Sequence, residues 1–394
     1  MPAKPHNPPP LAVAAALALA AAVSLGLARF SYALLLPPMR ADLGWSYLTA
    51  GAMNTVNAAG YLLGALLMPR ALLRFGARGL LLGGSAASAL LLVAHGLVLA
   101  DAWLYGLRLL TGVASAATFV SGGLLAARLV GARAGLVLGI YYGGTGVGII
   151  TSALLVPPLV ALECAHAWRW AWIALGVAAL LATAVTAQAT RGLGAAGGAA
   201  RGHEAFGWPH FAFGLASYFL FGLGYIGYMT FVVTLLREQR LTSTSITVFY
   251  GLLGLGVIAS SWLWAGLLQH FRGGQAMGLL NGLLALATLL PVLSAHPLAV
   301  FASGALFGSV FLSVVASTTA LVRHNLPVAA WPSGIAAFTT VFAAGQIVGP
   351  SLVGWLADGA GGLRNGLAVS AGVLALGSVL AWGQKALPQQ EQHP

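Results

Sequence analysis

Apolar runs of membrane-spanning length recur along almost the whole chain, and nothing constrains its fold more. They lie near residues 11–36, 46–68, 78–100, 102–127, 134–157 and 168–189, then near 208–236, 245–268, 276–294, 297–322, 331–356 and 363–385. Each is close to the roughly 20 residues that a helix needs to cross the hydrocarbon of a bilayer. Of 394 residues, 59% are hydrophobic and 6% charged, more apolar surface than a water-facing exterior tolerates. A membrane β-barrel would need short alternating strands instead. The expected fold class is an all-α membrane protein with twelve transmembrane helices in two six-helix pseudo-repeats.

The first run follows Lys4 and His6 and has the look of a secretory signal. Its length, about 26 residues from Leu11 to Leu36, exceeds a signal core of roughly 7 to 15, so a retained first helix is expected. The segment Thr190 to Gly207 is rich in Gly and Ala, carries Arg191 and Arg201, and reads as a flexible cytoplasmic linker. The expected domains are therefore an N-terminal half (1–189), a linker (190–207) and a C-terminal half (208–394).

The net charge is +11. With both termini cytoplasmic, the inner loops and tails hold Lys4, Arg70, Arg74, Arg78, Arg128, Arg133, Arg191, Arg201, Arg272, Arg323 and Lys385. The outer loops then hold Arg40, Arg169, Arg237, Arg240 and Arg364, so the count is eleven against five. That surplus follows the positive-inside rule, and no nucleic-acid partner is needed to explain the charge. Five acids, Asp42, Asp101, Glu163, Glu238 and Asp358, fall on the outer side. Cys164 is the single cysteine, so no intramolecular disulfide forms.

The halves echo each other. Leu73-Arg74-Phe75-Gly76-Ala77-Arg78 after the second run is matched by Gln269-His270-Phe271-Arg272-Gly273-Gly274 after the eighth. Gly144-Thr145-Gly146-Val147-Gly148 in the fifth is matched by Gly345-Gln346-Ile347-Val348-Gly349 in the eleventh. The offsets are 196 from Phe75 to Phe271 and 201 from Gly144 to Gly345. Two related halves joined by a linker are the plan of a repeat-built secondary transporter.

Chemistry enters through Arg29 and Arg108, which sit in apolar runs that hold no Asp or Glu. A cation inside hydrocarbon costs several kcal/mol, so such residues face a cavity and carry function as a rule. Both lie roughly 10 Å inside the outer end at 1.5 Å per residue, close enough in depth to meet. A guanidinium fork matches a carboxylate or phosphate bidentately, which points to an anionic ligand. The structural alternative has Arg108 bonding backbone carbonyls and Arg29 snorkelling outward. Asn54, Asn57 and Tyr61 share one face at i, i+3 and i+7, and bind either substrate or the facing helix. Tyr218, Tyr225 and Met229 share a face of the seventh run with Tyr228 beside it, lining a cavity or packing. Gln346 is a lone polar group in the eleventh. The candidate substrate contacts are thus Arg29, Tyr32, Asn54, Asn57, Arg108, Tyr225, Tyr228 and Gln346. Gly139, Gly143, Gly144 and Gly148 form G-x-x-x-G pairs that suit close, sliding helix contacts. A nucleotide loop at Gly144-x-Gly146 lacks the strand–turn–helix setting it requires.

In order along the chain, these residues resemble the major facilitator superfamily. Gly64 to Arg78 is similar to its loop between helices two and three. Arg108-Leu-Leu-Thr-Gly112 is similar to its fourth-helix motif, Trp168-Arg169-Trp170 to its start of helix six, and Gly349-Pro350 through Gly354 to Asp358 to its eleventh-helix ending. Gly26-Leu-Ala-Arg29-Phe30-Ser-Tyr32, Asp42-Leu-Gly-Trp45-Ser46 and Met53-Asn54-Thr55-Val56-Asn57 resemble the YbfB/YjiJ-type bacterial branch. The resemblance implies a hinge role for Gly64, Arg74, Gly76, Arg78, Gly349 and Pro350, and the G-x-x-x-G spacing adds Gly144 and Gly148 to the hinge candidates. Two departures stand out. Met68 occupies the place of the loop motif's aspartate, and the fifth run has prolines only at Pro157 and Pro158, unlike the Gly-Pro of drug antiporters.

No carboxylate lies mid-membrane, and His95 and His210 fall near run ends, where an interfacial place is expected. Facilitated diffusion, anion exchange, and symport with a titrating substrate all stay open. There is no His-Glu-x-x-His, Gly-x-Ser-x-Gly or metal-ligand cluster, so neither an enzyme nor a cofactor or metal site is expected. The resulting expectation is a monomeric inner-membrane carrier, termini cytoplasmic, with the lipid bilayer, a small organic anion and protons as partners. The alternatives are an exporter of hydrophobic or cationic compounds and a non-transporting membrane sensor or scaffold.

Overall fold

A computed structural model describes residues 10–129, 134–193 and 206–387. Lys4, Arg133, Arg201 and most of the expected linker lie outside these described residues. Eleven helical stretches within them are long and apolar enough to cross a membrane. One of these, Tyr47–His95, runs for 49 residues, more than two crossings' worth. It breaks at Gly76, where φ is 68° and ψ 163°. That backbone region is open to glycine almost alone. The stretch is therefore two membrane helices, and the total is twelve.

In chain order these are α1 (Leu11–Leu43), α2 (47–75), α3 (77–95), α4 (Asp101–Arg128), α5 (Ala134–Val160) and α6 (Trp168–Ala189). Then come α7 (Ala212–Glu238), α8 (Ser243–Leu263), α9 (Gln275–Leu293), α10 (Pro297–Asn325), α11 (Trp331–Ala357) and α12 (Gly362–Trp382). The first helix runs past its expected end at Leu36. Pro37 and Pro38 are carried inside the helix. The true end is a left-handed glycine, Gly44, with φ 65°. The amide of Trp45 donates back to the Arg40 carbonyl at 3.1 Å, the 6→1 bond of a Schellman cap. Ser46 then caps α2 by accepting from the Thr49 amide at 3.0 Å.

The chain forms two compact units. One holds α1 to Leu35 and everything from Ala59 to the linker; the other holds 36–58 with α7 to α12. In the first, α1 packs on α4, α5 and α6. Its core brings Val13 and Leu17 of α1 onto Leu81, Leu125 and Tyr141 of α3, α4 and α5. In the second, α7 packs on α11 and α12, α8 on α10, and α9 on α10 and α12. The most apolar stretches of α1 and α7 are 78% and 89% buried, against 39 to 56% for the rest, as all-round apolar helices require.

The repeat is carried by backbone contacts. Gly144 and Gly148 of α5 lie directly on the carbonyls of Ala18 and Ala22 in α1. Gly345 and Gly349 of α11 lie directly on those of Phe219 and Leu223 in α7. All four residue pairs keep the offset of 201. A side chain at any of these glycines would overlap a carbonyl oxygen.

Gly76→Ala should destabilise the purified protein by about 1–3 kcal/mol, read as a lowered melting temperature. Gly148→Val should cost a comparable ~1–3 kcal/mol through overpacking against α1. Gly83→Ala, with nothing within 4 Å of the added methyl, should melt as the wild type does.

Candidate substrate site

Arg29 belongs to a π-helical stretch of α1, Ala22–Phe30. The Ser31 amide closes it with a bond of 3.0 Å to the Gly26 carbonyl, five residues back. Wide turns of this kind displace carbonyls from the regular ladder and often mark functional sites. Here side chains take up displaced acceptors. The Ser31 hydroxyl donates to the Leu27 carbonyl at 2.5 Å. The Arg108 guanidinium donates from Nη1 to the Ala28 carbonyl at 2.9 Å.

Arg108 comes from the buried face of α4, which also carries Leu104, Thr111, Ser115 and Thr118 at helical spacing. It is completely buried. Its guanidinium lies 4.9 Å from the centroid of the Tyr32 ring and 5.9 Å from that of Trp172. Arg29 is 3% exposed, with its guanidinium 5.6 Å from the centroid of the Tyr61 ring. The two cations act on each other electrostatically. Of the sequence candidates, Arg29, Tyr32 and Arg108 are thus brought together, and Tyr61 and Trp172 complete the wall. The described acids of this unit, Asp101 and Glu163, are both exposed. The site is a buried positive field with aromatic sides.

His95 is the last residue of α3, near a helix end as expected, and is fully buried within the protein. Its ring stacks on Trp172 at 4.5 Å, and α6 supplies that cover from 77 residues further along the chain.

In the second unit, Asn54 donates to the Thr230 hydroxyl at 2.7 Å, so it bonds a facing helix. Asn57 is buried one turn on. Tyr225 and Gln346 are brought together by a hydrogen bond from the amide to the phenol oxygen. Tyr225 stacks on Phe221 at 4.8 Å and on Phe342 at 5.7 Å. Tyr228 stacks on Phe307 at 4.0 Å and shares a 2.6 Å bond with Ser303.

The hinge candidates have identifiable contacts. Gly64 lies on Val113 and Ala116 of α4. The Arg74 guanidinium is 5.3 Å from the centroid of the Phe75 ring. Arg78 donates to the carbonyls of Thr190 and Ala187 at 2.9 and 3.1 Å, capping the C-terminus of α6. The Pro350 carbonyl lies on Gly51.

Sequence reasoning missed a latch in the second unit. The Asp358 carboxylate, just after α11, accepts from the amides of Tyr47 and Leu48 at 2.8 and 2.9 Å. It caps α2 with a full negative charge on the positive end of the helix dipole. The Tyr47 hydroxyl donates to Glu238. The Arg40 guanidinium lies 3.6 Å from the centroid of the Tyr47 ring. Gly354 lies on the Tyr47 carbonyl, so the two backbones touch.

Twelve membrane helices in two repeated sets, with buried cations and broken helical geometry beside them, define a secondary transporter of the major facilitator fold. The chain belongs to the family described as "Uncharacterised MFS-type transporter YbfB", whose pattern matches residues 21–382. Solved structures agree on the fold. A bacterial homologue of the human lysosomal transporter Spinster, inward-facing and unoccupied, superposes with a TM-score of 0.73 at 15% identity, covering 98% of this chain and 100% of that one. The nucleoside transporter NupG gives 0.65 at 12% identity, covering 94% and 98%. The human organic anion transporter MFSD10 gives 0.61 at 15%, covering 95% and 100%. A comparison with curated proteins finds no match. The protein is a multi-pass membrane transporter with a small-molecule substrate.

Arg108→Leu should destabilise by about 1–3 kcal/mol, because the Ala28 carbonyl loses its charged donor. Arg108→Lys should recover part of that loss in the same melting assay. Asp358→Asn should cost about 0.5–2 kcal/mol by weakening the α2 cap, and Asp358→Ala at least as much.

Proposed function

We propose that the protein is an inner-membrane carrier, with both termini cytoplasmic, that moves a small organic anion by alternating access between its halves, residues 1–189 and 208–394. The observation that carries this reading is the burial of two guanidiniums in one helical unit whose described acids are exposed. Their mutual repulsion falls when an anion joins them, which is a differential interaction that binding can draw on. Arg29 is the group that takes the anion bidentately. Arg108 holds the Ala28 carbonyl and so positions the neighbouring Arg29, while adding its charge to the field. The aromatic walls suit a carboxylate or phosphate ester with an apolar body. The human organic anion transporter of the same fold is compatible with this class but, at 15% identity, lends it no weight.

The stacked rings of Tyr218, Phe221, Tyr225 and Phe342 favour a second reading, export of a hydrophobic cation by cation–π contacts. A thermal-shift panel on detergent-purified wild type and Arg29→Gln separates the two. It holds benzoate, succinate, glycerol 3-phosphate, neutral sugars and tetraphenylphosphonium. A ligand at about 100 times its Kd stabilises by about 2.7 kcal/mol. Anions should stabilise the wild type and not Arg29→Gln. Stabilisation of both proteins by the phosphonium alone would overturn the anion carrier.

A further inference from the structure

His95 ends α3 in the first unit. Its Nδ1 lies 2.7 Å from the carbonyl oxygen of Leu91. A carbonyl only accepts, so Nδ1 carries the hydrogen and Nε2 presents a lone pair. Nε2 is buried and has no hydrogen-bond partner among the described residues. A bare acceptor inside a membrane protein costs free energy, and such groups mark function more often than packing. The imidazole lies nearly flat on Trp172, 26° between planes, and the Arg108 guanidinium lies by that same indole. The histidine and the cation of the anion site therefore share one indole.

Resting on the anion reading above, we propose that Nε2 of His95 is a proton-binding site coupled to the anion site, so that one proton enters with each anion bound. With the site empty, burial first and the positive charge of Arg108 second oppose a charge on His95. An anion at Arg29 and Arg108 offsets the second of these and sets a counter-charge beside the first. The proton comes from the aqueous phase, forms an N–H bond at Nε2, and returns to water when the anion leaves. The indole face then holds an imidazolium by a cation–π contact. The charged and titratable groups on the surrounding elements are Asp101, Tyr105 and Arg108 on α4, Arg169 on α6, and Arg29 and Tyr32 on α1. Arg169 donates to the Gly96 carbonyl at 2.6 Å, next to His95, and its charge acts in the same sense as that of Arg108. Coupling is reciprocal, so a proton at His95 tightens the anion by the factor with which the anion tightens the proton. This supplies a proton site in a chain whose membrane spans offer no central carboxylate.

The test is calorimetric titration of wild type, His95→Gln and Arg29→Gln with benzoate, succinate and glycerol 3-phosphate, from about pH 7.5 to about pH 5.5. Two buffers of different ionisation enthalpy give the number of protons taken up per anion. The wild type should take up about one proton and bind up to about tenfold more tightly per pH unit of fall. His95→Gln should bind the same anion with no proton uptake and a flat pH profile. Anion binding by the wild type without proton uptake, or uptake retained in His95→Gln, would overturn the coupling and leave the anion carrier standing. No binding of any of the three probes by the wild type would overturn the anion reading and this one with it. Should His95→Gln not fold, histidine nitrogen NMR of the wild type decides. One imidazole should become imidazolium only when the anion is present, and no such change would overturn the proposal.

Discussion

The contact between glycine and carbonyl is the constraint on which the rest of this molecule depends. Lipid supplies no hydrophobic drive to bring helices together, so close backbone approach has to do it. Gly144 and Gly148 bring α5 onto the carbonyls of α1, and Gly345 and Gly349 bring α11 onto those of α7. The same register appears twice, 201 residues apart. What differs between the halves is the chemistry laid on this frame. The offset that maps Gly144 to Gly345 maps Arg29 to Thr230. The first half thus carries a cation where the second carries an alcohol, and that alcohol is engaged by Asn54.

The wide turn of α1 and the arginine of α4 form one device. A π-helical stretch frees backbone acceptors in a place where water is scarce, and each must be satisfied by something else. Ser31 and Arg108 provide the donors. Arg108 is thereby fixed in a single pose, flanked by Tyr32 and Trp172. Its charge cannot be relieved by snorkelling, and the aromatic faces stabilise it only in part. Fold and site are coupled here, because the group that completes the helix is also one of the two that make the field.

The fold was legible because hydrocarbon imposes length and composition on every span, and because backbone contacts such as Gly144 and Gly345 repeat in register. The two arginines were legible because a cation in an apolar run has no bland surroundings. Their partners were not. The Ala28 carbonyl lies 80 residues from Arg108, and Tyr47 lies 311 from Asp358, so spacing along the chain carries no trace of either contact. Asp358 looked like a loop acid and proves to be a helix cap. His95 was legible as a helix-end residue, but the indole of Trp172 stacked on it comes from another helix and left no trace in the spacing. The first run was expected to end at Leu36, whereas the stop is set by the left-handed Gly44.

The buried guanidiniums also have an electrical meaning. Moving one elementary charge through the whole of a 100 mV potential changes its energy by about 2.3 kcal/mol. Arg29 and Arg108 are fixed to α1 and α4, and any rocking of those helices drags both through part of the field. On the anion reading proposed above, an empty carrier would reorient with both charges and a loaded one with part of that charge offset by its ligand. The membrane voltage would then act unequally on the outward and return strokes, through charges that belong to the scaffold.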